Sequence, residues 1–120
     1  MAKREDFGHS FLAYFKRATS PLAVLRILSD RPMYGYELIQ ELKQRSGGKY
    51  QLSLLYPVLY RLEEQGYLTI SASEIVDGRA RNYYAVTPAG RDYLRQTLAE
   101  YAEISVVFQQ LMEDWDGHEA

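Results

Sequence analysis

The C-terminal third of the chain carries an apolar repeat that is longer than one small domain can readily cover. Residues spaced alternately by four and three positions lie on one face of a helix. The repeat comprises Leu94, Leu98, Tyr101, Ser105, Phe108, Met112 and Trp115, and it is widened by Ile104, Val107 and Leu111. This pattern predicts a helix that forms the seam between two chains. The alternative is a helix that folds back on the core of its own chain.

The composition excludes several classes of protein. With 120 residues, of which 47% are hydrophobic, the chain fits one globular domain with an additional arm. It has no cysteine, and its two histidines, His9 and His118, lie near opposite ends, so we expect no metal site and no cofactor. No apolar run is long enough for a membrane span, and the N-terminus lacks a signal-peptide core. We therefore expect a cytoplasmic protein.

The charges are distributed unevenly along the chain. The net charge is −2, which by itself argues against a nucleic-acid partner. Residues 88–120 hold two basic and seven acidic residues, whereas residues 1–87 hold twelve basic and nine acidic residues. Because the acidic residues are concentrated in the tail, a basic face elsewhere on the molecule is compatible with the sequence.

Residues 5–45 predict three successive helices. Residues 5–17 read as a helix with an aromatic face that consists of Phe7, Phe11, Tyr14 and Phe15. Ser20 followed by Pro21 predicts the start of another helix, because the hydroxyl can cap free N–H groups and proline is tolerated in a first turn. A further helix is expected over residues 34–45, where Ser46-Gly47-Gly48 ends it.

The order of the remaining elements predicts the fold. After a helix from about residue 53 to 66, residues 67–75 and 81–86 alternate as two strands around Asp77-Gly78, which predicts a hairpin. Thr87-Pro88 then opens a helix that runs to about residue 116. We expect a mostly α fold with a small β-hairpin, namely a winged helix-turn-helix with an N-terminal helix and a long C-terminal dimerisation helix. The predicted units are an N-terminal helical arm (1–19), a winged helix-turn-helix DNA-binding domain (20–87), and the dimerisation helix with its acidic tail (88–120).

The helix after residue 53 has features of a helix that reads DNA. Leu55, Leu59 and Leu62 share its inward face, which leaves Ser53, Tyr56, Pro57, Tyr60, Arg61 and Glu64 outside. With Ser53 as the cap, Pro57 removes only the first intrahelical hydrogen bond, and the positive end of the helix dipole favours phosphate. The two tyrosines could contact phosphates or thymine methyl groups in the major groove. The alternative is a plain amphipathic helix whose tyrosines cover neighbouring apolar surface.

The tip of the predicted hairpin carries basic side chains. Arg79 and Arg81 flank the Asp77-Gly78 turn, and Asn82 lies beside them. Such a tip can contact the DNA backbone or reach into the minor groove. The alternative is a hairpin end that only increases solubility. Because the hairpin follows a candidate recognition helix in the same chain, the two features together favour DNA.

Three blocks of the sequence resemble the PadR-type transcriptional regulators. They are residues 33–38 (MYGYEL), 55–63 (LYPVLYRLE) and 81–90 (RNYYAVTPAG), which resemble the entry to the second helix, the recognition helix, and the second wing strand of that family. The resemblance spans roughly residues 22–95. Leu54 departs from it, because relatives often carry a threonine just before the Leu-Tyr-Pro run. The resemblance implies a homodimer that binds DNA.

The residues expected to contact DNA are Tyr34, Tyr36, Lys49, Ser53, Leu54, Tyr56, Pro57, Tyr60, Arg61, Arg79 and Arg81. The residues expected at the dimer interface are Phe7, Phe11, Phe15, Leu94, Leu98, Tyr101, Ile104, Val107, Phe108, Leu111, Met112 and Trp115. In multidrug-sensing relatives a tryptophan of the last helix lines a ligand pore at the dimer centre, and the matching position here is Tyr101. The resemblance thus implies a site for a small aromatic effector at Tyr101, whereas the alternative is that Tyr101 and Trp115 only pack the seam.

Two other classes of function compete with a DNA-binding regulator. An enzyme would need a nucleophile with its base, a metal cluster or a phosphate loop, and Gly47-Gly48 lacks the lysine-bearing pattern of such a loop. We therefore expect no enzymatic activity. A winged helix that binds protein, or senses a ligand without specific DNA binding, remains the alternative because of the acidic tail and Leu54. The expected function is a homodimeric transcriptional repressor that binds a palindromic operator and releases it when a small aromatic effector binds.

Overall fold

The computed structural model describes residues 10–51 and 55–117. Its elements are the helices α1 (Phe11–Leu28), α2 (Gly35–Arg45) and α3 (Leu55–Glu64), the strands β1 (Leu68–Val76) and β2 (Arg79–Val86), and the helix α4 (Pro88–Leu111). The predicted fold class, a winged helix-turn-helix followed by a long helix, is confirmed. The predictions made for Phe7, His9, Ser53, Leu54 and His118 fall on residues outside the described ranges.

The hydrophobic core lies where α1, α2, α3 and the base of the wing meet. Its fully buried side chains include Val24 and Leu25 from α1, Leu38 from α2 and Leu59 from α3. The inward face predicted for α3 is confirmed, because Leu55, Leu59 and Leu62 are all buried. Burial of these side chains holds α3 against the domain and leaves its opposite face accessible.

The predicted helix start at Ser20-Pro21 is wrong, because α1 continues through both residues. The N-cap of α1 is Ser10, whose side chain accepts a hydrogen bond of 3.1 Å from the backbone N–H of Ala13. A proline inside a helix removes one backbone hydrogen bond. The hydroxyls of Thr19 and Ser20 donate to the carbonyls of the preceding turn, so this part of α1 gains other hydrogen bonds. The predicted boundary between residues 19 and 20 therefore lies within a helix, and the division into three units stays a prediction.

The wing is a two-stranded antiparallel hairpin, as the sequence predicts. Val76 pairs with Arg79, so the connecting turn consists of Asp77 and Gly78, which have φ angles of 51° and 76°. Two consecutive residues with positive φ match the right-handed twist of a hairpin. Met33, just before α2, bridges Tyr84 of β2 through two backbone hydrogen bonds of 2.8 and 3.2 Å. The base of the wing is therefore attached to the start of α2.

The first turn of α4 is fixed to the end of α3 by polar and aromatic contacts. The Thr87 hydroxyl accepts from the N–H of Gly90 at 3.0 Å and donates to the carbonyl of Gly66 at 2.6 Å. The rings of Tyr67 and Tyr93 stack with their centroids 4.4 Å apart. The predicted start of α4 is confirmed, whereas its end at Leu111 precedes the predicted end at residue 116. Across residues 10–51 and 55–117, no helix is both long and apolar enough to span a bilayer.

Replacing Gly90 with alanine should lower the free energy of unfolding by about 1–3 kcal/mol, as measured by urea denaturation. The added Cβ would collide with the carbonyl oxygen of Tyr67, which is backbone and cannot rotate away. The control is Ala89→Gly, at an exposed neighbouring position, which should cost about 1 kcal/mol or less. If Gly90→Ala is as stable as the unmodified chain, α4 does not require this close approach.

Candidate nucleic-acid interface

A concave groove lies between the start of α2, the exposed side of α3 and the tip of the wing. Its volume is about 710 Å³, and we call it the aromatic groove. It is lined by Tyr34, Gly35, Tyr36, Tyr56, Tyr60, Val76, Asp77, Arg79, Ala80, Arg81, Asn82 and Tyr84. The fold thus brings together six residues that the sequence analysis assigns to DNA contacts, namely Tyr34, Tyr36, Tyr56, Tyr60, Arg79 and Arg81. They come from three separate segments of the chain.

Three of the other predicted DNA contacts lie away from the aromatic groove, and Ser53 and Leu54 are outside the described residues. Pro57 and Arg61 face a different groove, between α3 and α1. Lys49 is exposed in the loop after α2 and lines neither of these grooves. The predicted contacts are therefore distributed around α3 rather than gathered at one point.

The two exposed tyrosines of α3 have different surroundings. The phenol of Tyr56 lies over Gly35, the first residue of α2, so closely that a Cβ at position 35 would collide with its hydroxyl. Tyr60 lies one turn later, with its ring centroid 5.9 Å from that of Tyr56. The side chains are 47% and 57% exposed, so both tyrosines keep accessible surface. Gly35 provides the space for Tyr56, a role that the sequence analysis missed because α2 and α3 meet only in the folded chain.

The two arginines of the wing also differ. Arg79 is exposed at the tip. The guanidinium of Arg81 lies 4.1 Å from the ring centroid of Tyr34, and its Nη1 lies 3.4 Å from a carboxylate oxygen of Glu74. Hydrogen bonding with Tyr83 raises the pKa of Arg81. Arg81 therefore holds the wing against the start of α2, and Arg79 is the arginine more accessible to a ligand.

The tyrosines around Arg81 form a connected cluster. The rings of Tyr34 and Tyr83 meet edge to face, with their centroids 5.5 Å apart, and the Tyr83 hydroxyl donates to Glu74 at 2.9 Å. The hydrogen bond to the Glu74 carboxylate raises the pKa of Tyr83. Burial raises the pKa of Tyr84. Both hydroxyls therefore stay protonated and uncharged at neutral pH.

The outer part of α4 and the residues that follow it present an exposed apolar surface. Leu94 is buried and belongs to the core of its own chain. Beyond it, the predicted interface residues are exposed, namely Leu98, Tyr101, Ile104, Val107, Phe108, Leu111, Met112 and Trp115. Phe11 at the start of α1 is also exposed, whereas Phe15 contacts Tyr101 edge to face at a centroid distance of 6.4 Å. α1 and α4 therefore share one aromatic surface.

The described residues contain no group of three or more His, Cys, Asp or Glu side chains that could hold a metal ion. Several of the described carboxylates take part in surface ion pairs. Asp30, for example, lies 2.7 Å from Arg45 and 3.0 Å from Arg26. Hydrogen bonds from Arg45 and Arg26 lower the pKa of Asp30. This cluster fixes α1 and α2 to each other at the surface.

Comparison with known proteins identifies relatives of this chain. The family model described as "Transcriptional regulator PadR-like family" matches residues 24–96. The transcriptional regulator Rv3488 of Mycobacterium tuberculosis is 44% identical over 91 residues, which cover 73% of this chain and 83% of that protein. A solved structure of a PadR family transcriptional regulator from Eggerthella lenta is 29% identical, with a TM-score of 0.78 over 91% of this chain and 95% of that one. A transcriptional regulator from Clostridium thermocellum shares the fold, with a TM-score of 0.75 at 24% identity over 83% of this chain and 99% of the other.

Proposed function

The chain belongs to the PadR-like family of transcriptional regulators, and we propose that it binds double-stranded DNA with the exposed side of α3 and the tip of the wing. The observation that carries this proposal is the aromatic groove, in which exposed side chains of α3 face Arg79 across one concave surface. B-DNA has a major groove about 12 Å wide, which admits one α-helix. A duplex that receives α3 in its major groove brings its backbone next to the wing.

In this arrangement the residues have different roles. The hydroxyls of Tyr56 and Tyr60 face the DNA and donate to base or phosphate acceptors, and their rings contact thymine methyl groups. Arg79 contacts the backbone beside the groove. Arg81 and Tyr34 act indirectly, because their stacking contact sets the position of the wing relative to α2.

The exposed stripe on α4 supports a homodimer. Phe108 and Leu111 lie in the last turn of α4 and Trp115 follows its end, and each of them is more than half exposed in the single chain. Burying such a stripe against a second copy removes apolar surface from water. A two-fold dimer places its two α3 helices about one turn of DNA apart, roughly 34 Å, which fits a palindromic operator. Repression is the proposed output, because a dimer on an operator excludes other proteins from the DNA that it covers.

The effector site is proposed at the aromatic surface that α1 and α4 share. Tyr101 is about half exposed and touches Phe15 with one edge of its ring. A planar aromatic molecule bound against Tyr101 near the dimer seam would change how the two α4 helices pack. Because α4 is fixed to the end of α3 through Thr87 and Tyr67, such a change alters the spacing of the two α3 helices.

The first test compares DNA binding with and without the charge at the wing tip. Selection of duplexes from a random pool supplies the specific site, and titrations at several salt concentrations measure affinity. The double substitution Arg79→Ala with Arg81→Ala should weaken binding to every duplex and make the log–log salt dependence shallower by about one unit per lost phosphate contact. If the unmodified chain shows no salt-dependent duplex binding, the alternative of a protein-binding or ligand-sensing winged helix is favoured instead.

The second test concerns Gly35 and Tyr56. Gly35→Ala should force the Tyr56 ring to rotate away, which weakens binding to the specific site several-fold more than to random duplex. The free energy of unfolding should change by less than about 1 kcal/mol, because a side chain at the surface can move aside. In a Tyr56→Ala background, Gly35→Ala should have little further effect. Equal losses on specific and random duplexes would refute a role for Tyr56 in base reading.

The third test concerns the stripe on α4. Phe108→Asp should convert dimers into monomers, as measured by light scattering, because it places a charge in the apolar seam. The matched control Gln110→Asp adds the same charge near the same end of α4 but off the stripe, so it should leave the dimer intact. A Phe108→Asp chain that remains dimeric would show that this stripe is not the interface.

A further inference from the structure

A second groove lies on the other side of α3, between the N-terminal half of that helix and the middle of α1. Its volume is about 540 Å³. Lys16 and Arg17 of α1 and Arg61 of α3 line it, together with uncharged residues that include Tyr50 and Gln51. All the charged side chains that line it, within the described part of the chain, are basic. We call this surface the basic shelf.

We propose that the basic shelf binds phosphates of double-stranded DNA, on the strand that lies on the opposite side of α3 from the wing. This inference rests on the proposed function and extends it to α1, a helix to which the sequence analysis assigned no DNA contact. Lys16 and Arg17 lie in the segment that was expected to serve as the dimerisation arm. In this proposal Lys16 and Arg17 contact DNA phosphates instead of a second copy of the chain.

The division of the α3 surface supports this assignment. Tyr56 and Tyr60 line the aromatic groove, whereas Pro57 and Arg61 line the basic shelf. An α-helix with its side chains is about 10–12 Å across, so it nearly fills a major groove about 12 Å wide. The two DNA backbones must then lie against the elements that flank α3. The wing and the start of α2 flank one side of α3, and α1 flanks the other.

Two of the three cations of the basic shelf, Lys16 and Arg61, are available to an anion. Among the described residues, Lys16 takes part in no ion pair. Arg61 likewise takes part in no ion pair within the described ranges. The guanidinium of Arg17 lies 5.9 Å from the centroid of the Tyr14 ring and adds a third positive charge to the same surface. When such cations bind DNA phosphates, counterions are released from the DNA, and this release favours binding.

Hydrogen bonds next to the charged side chains fix the position of the basic shelf. The hydroxyls of Thr19 and Tyr50 are hydrogen-bonded to each other, which joins α1 to the loop that precedes α3. The N–H of Tyr50 donates to the Ser46 hydroxyl at 2.9 Å, so this loop is also fixed to the end of α2. The cations of α1 therefore keep a defined position relative to α3, as a backbone-binding surface requires.

The test removes the two cations that only α1 contributes. Lys16→Gln with Arg17→Gln should weaken binding to specific and random duplexes by the same factor and make the log–log salt slope shallower by about one unit for each phosphate contact that is lost. The matched control Lys43→Gln with Arg95→Gln removes the same charge from side chains that line neither groove, and its slope should stay near that of the unmodified chain. Lys16→Arg with Arg17→Lys keeps the charge and should retain the original slope.

Phosphate ethylation interference locates the contact. In the unmodified chain, ethylation should interfere at two sets of phosphates on opposite sides of the site. The α1 double variant should lose interference only at the phosphates on the α1 side of α3. The Arg79→Gln variant should lose interference only at the phosphates on the wing side. The α1 double variant could instead match its charge control in salt slope and in interference, while the unmodified chain binds DNA. That result would refute phosphate binding by the basic shelf and leave the proposed function unaffected. If the unmodified chain binds no duplex, both the role of the basic shelf and the proposed function are refuted.

Discussion

The close approach of Gly90 to the carbonyl of Tyr67 determines how the long helix leaves the winged domain. Tyr67 directly follows the turn that ends α3, where its N–H donates to the carbonyl of Leu62 at 2.9 Å. The same residue accepts a hydrogen bond of 3.1 Å from the N–H of Thr87, the N-cap of α4. One residue thus joins the end of α3 to the beginning of α4 through backbone atoms, which have less freedom to adjust than side chains. Any rotation of α4 in the proposed dimer is therefore transmitted to α3.

The two sides of α3 are suited to different parts of a DNA duplex. The aromatic groove offers phenol rings and hydroxyls, which suit base edges and thymine methyl groups because their contacts depend on shape and hydrogen-bond direction. The basic shelf offers long cationic side chains, which suit phosphates because they attract charge without reading sequence. Pro57 is exposed on the shelf side, where its ring keeps the first turn of α3 free of a bulky flexible side chain. Affinity and specificity would then arise on opposite sides of one helix.

The sequence predicts the features of this fold that depend on local chemistry. The Asp77-Gly78 turn and the Thr87 cap could be located because positive φ angles and helix caps require particular residue types. The same reasoning was wrong at Ser20, because a serine hydroxyl can cap a helix or donate to a carbonyl in the preceding turn, and only the surrounding packing decides between them. The contact of Tyr56 with Gly35 and the stacking of Arg81 on Tyr34 join separate segments, so periodicity along the chain could not reveal them.

The position of the acidic residues explains why the net charge is a poor guide to the partner of this chain. Glu100 and Glu103 lie in the outer half of α4, and Glu113, Asp114 and Asp116 follow its end. A helix of 24 residues is about 36 Å long, which is several times the screening length of about 8 Å at physiological salt. Acidic groups at the far end of α4 therefore exert little repulsion on phosphates at its base. In the proposed complex, a duplex would meet the charge of the wing and of the surface around α3, where Arg79, Arg61 and the cations of α1 lie.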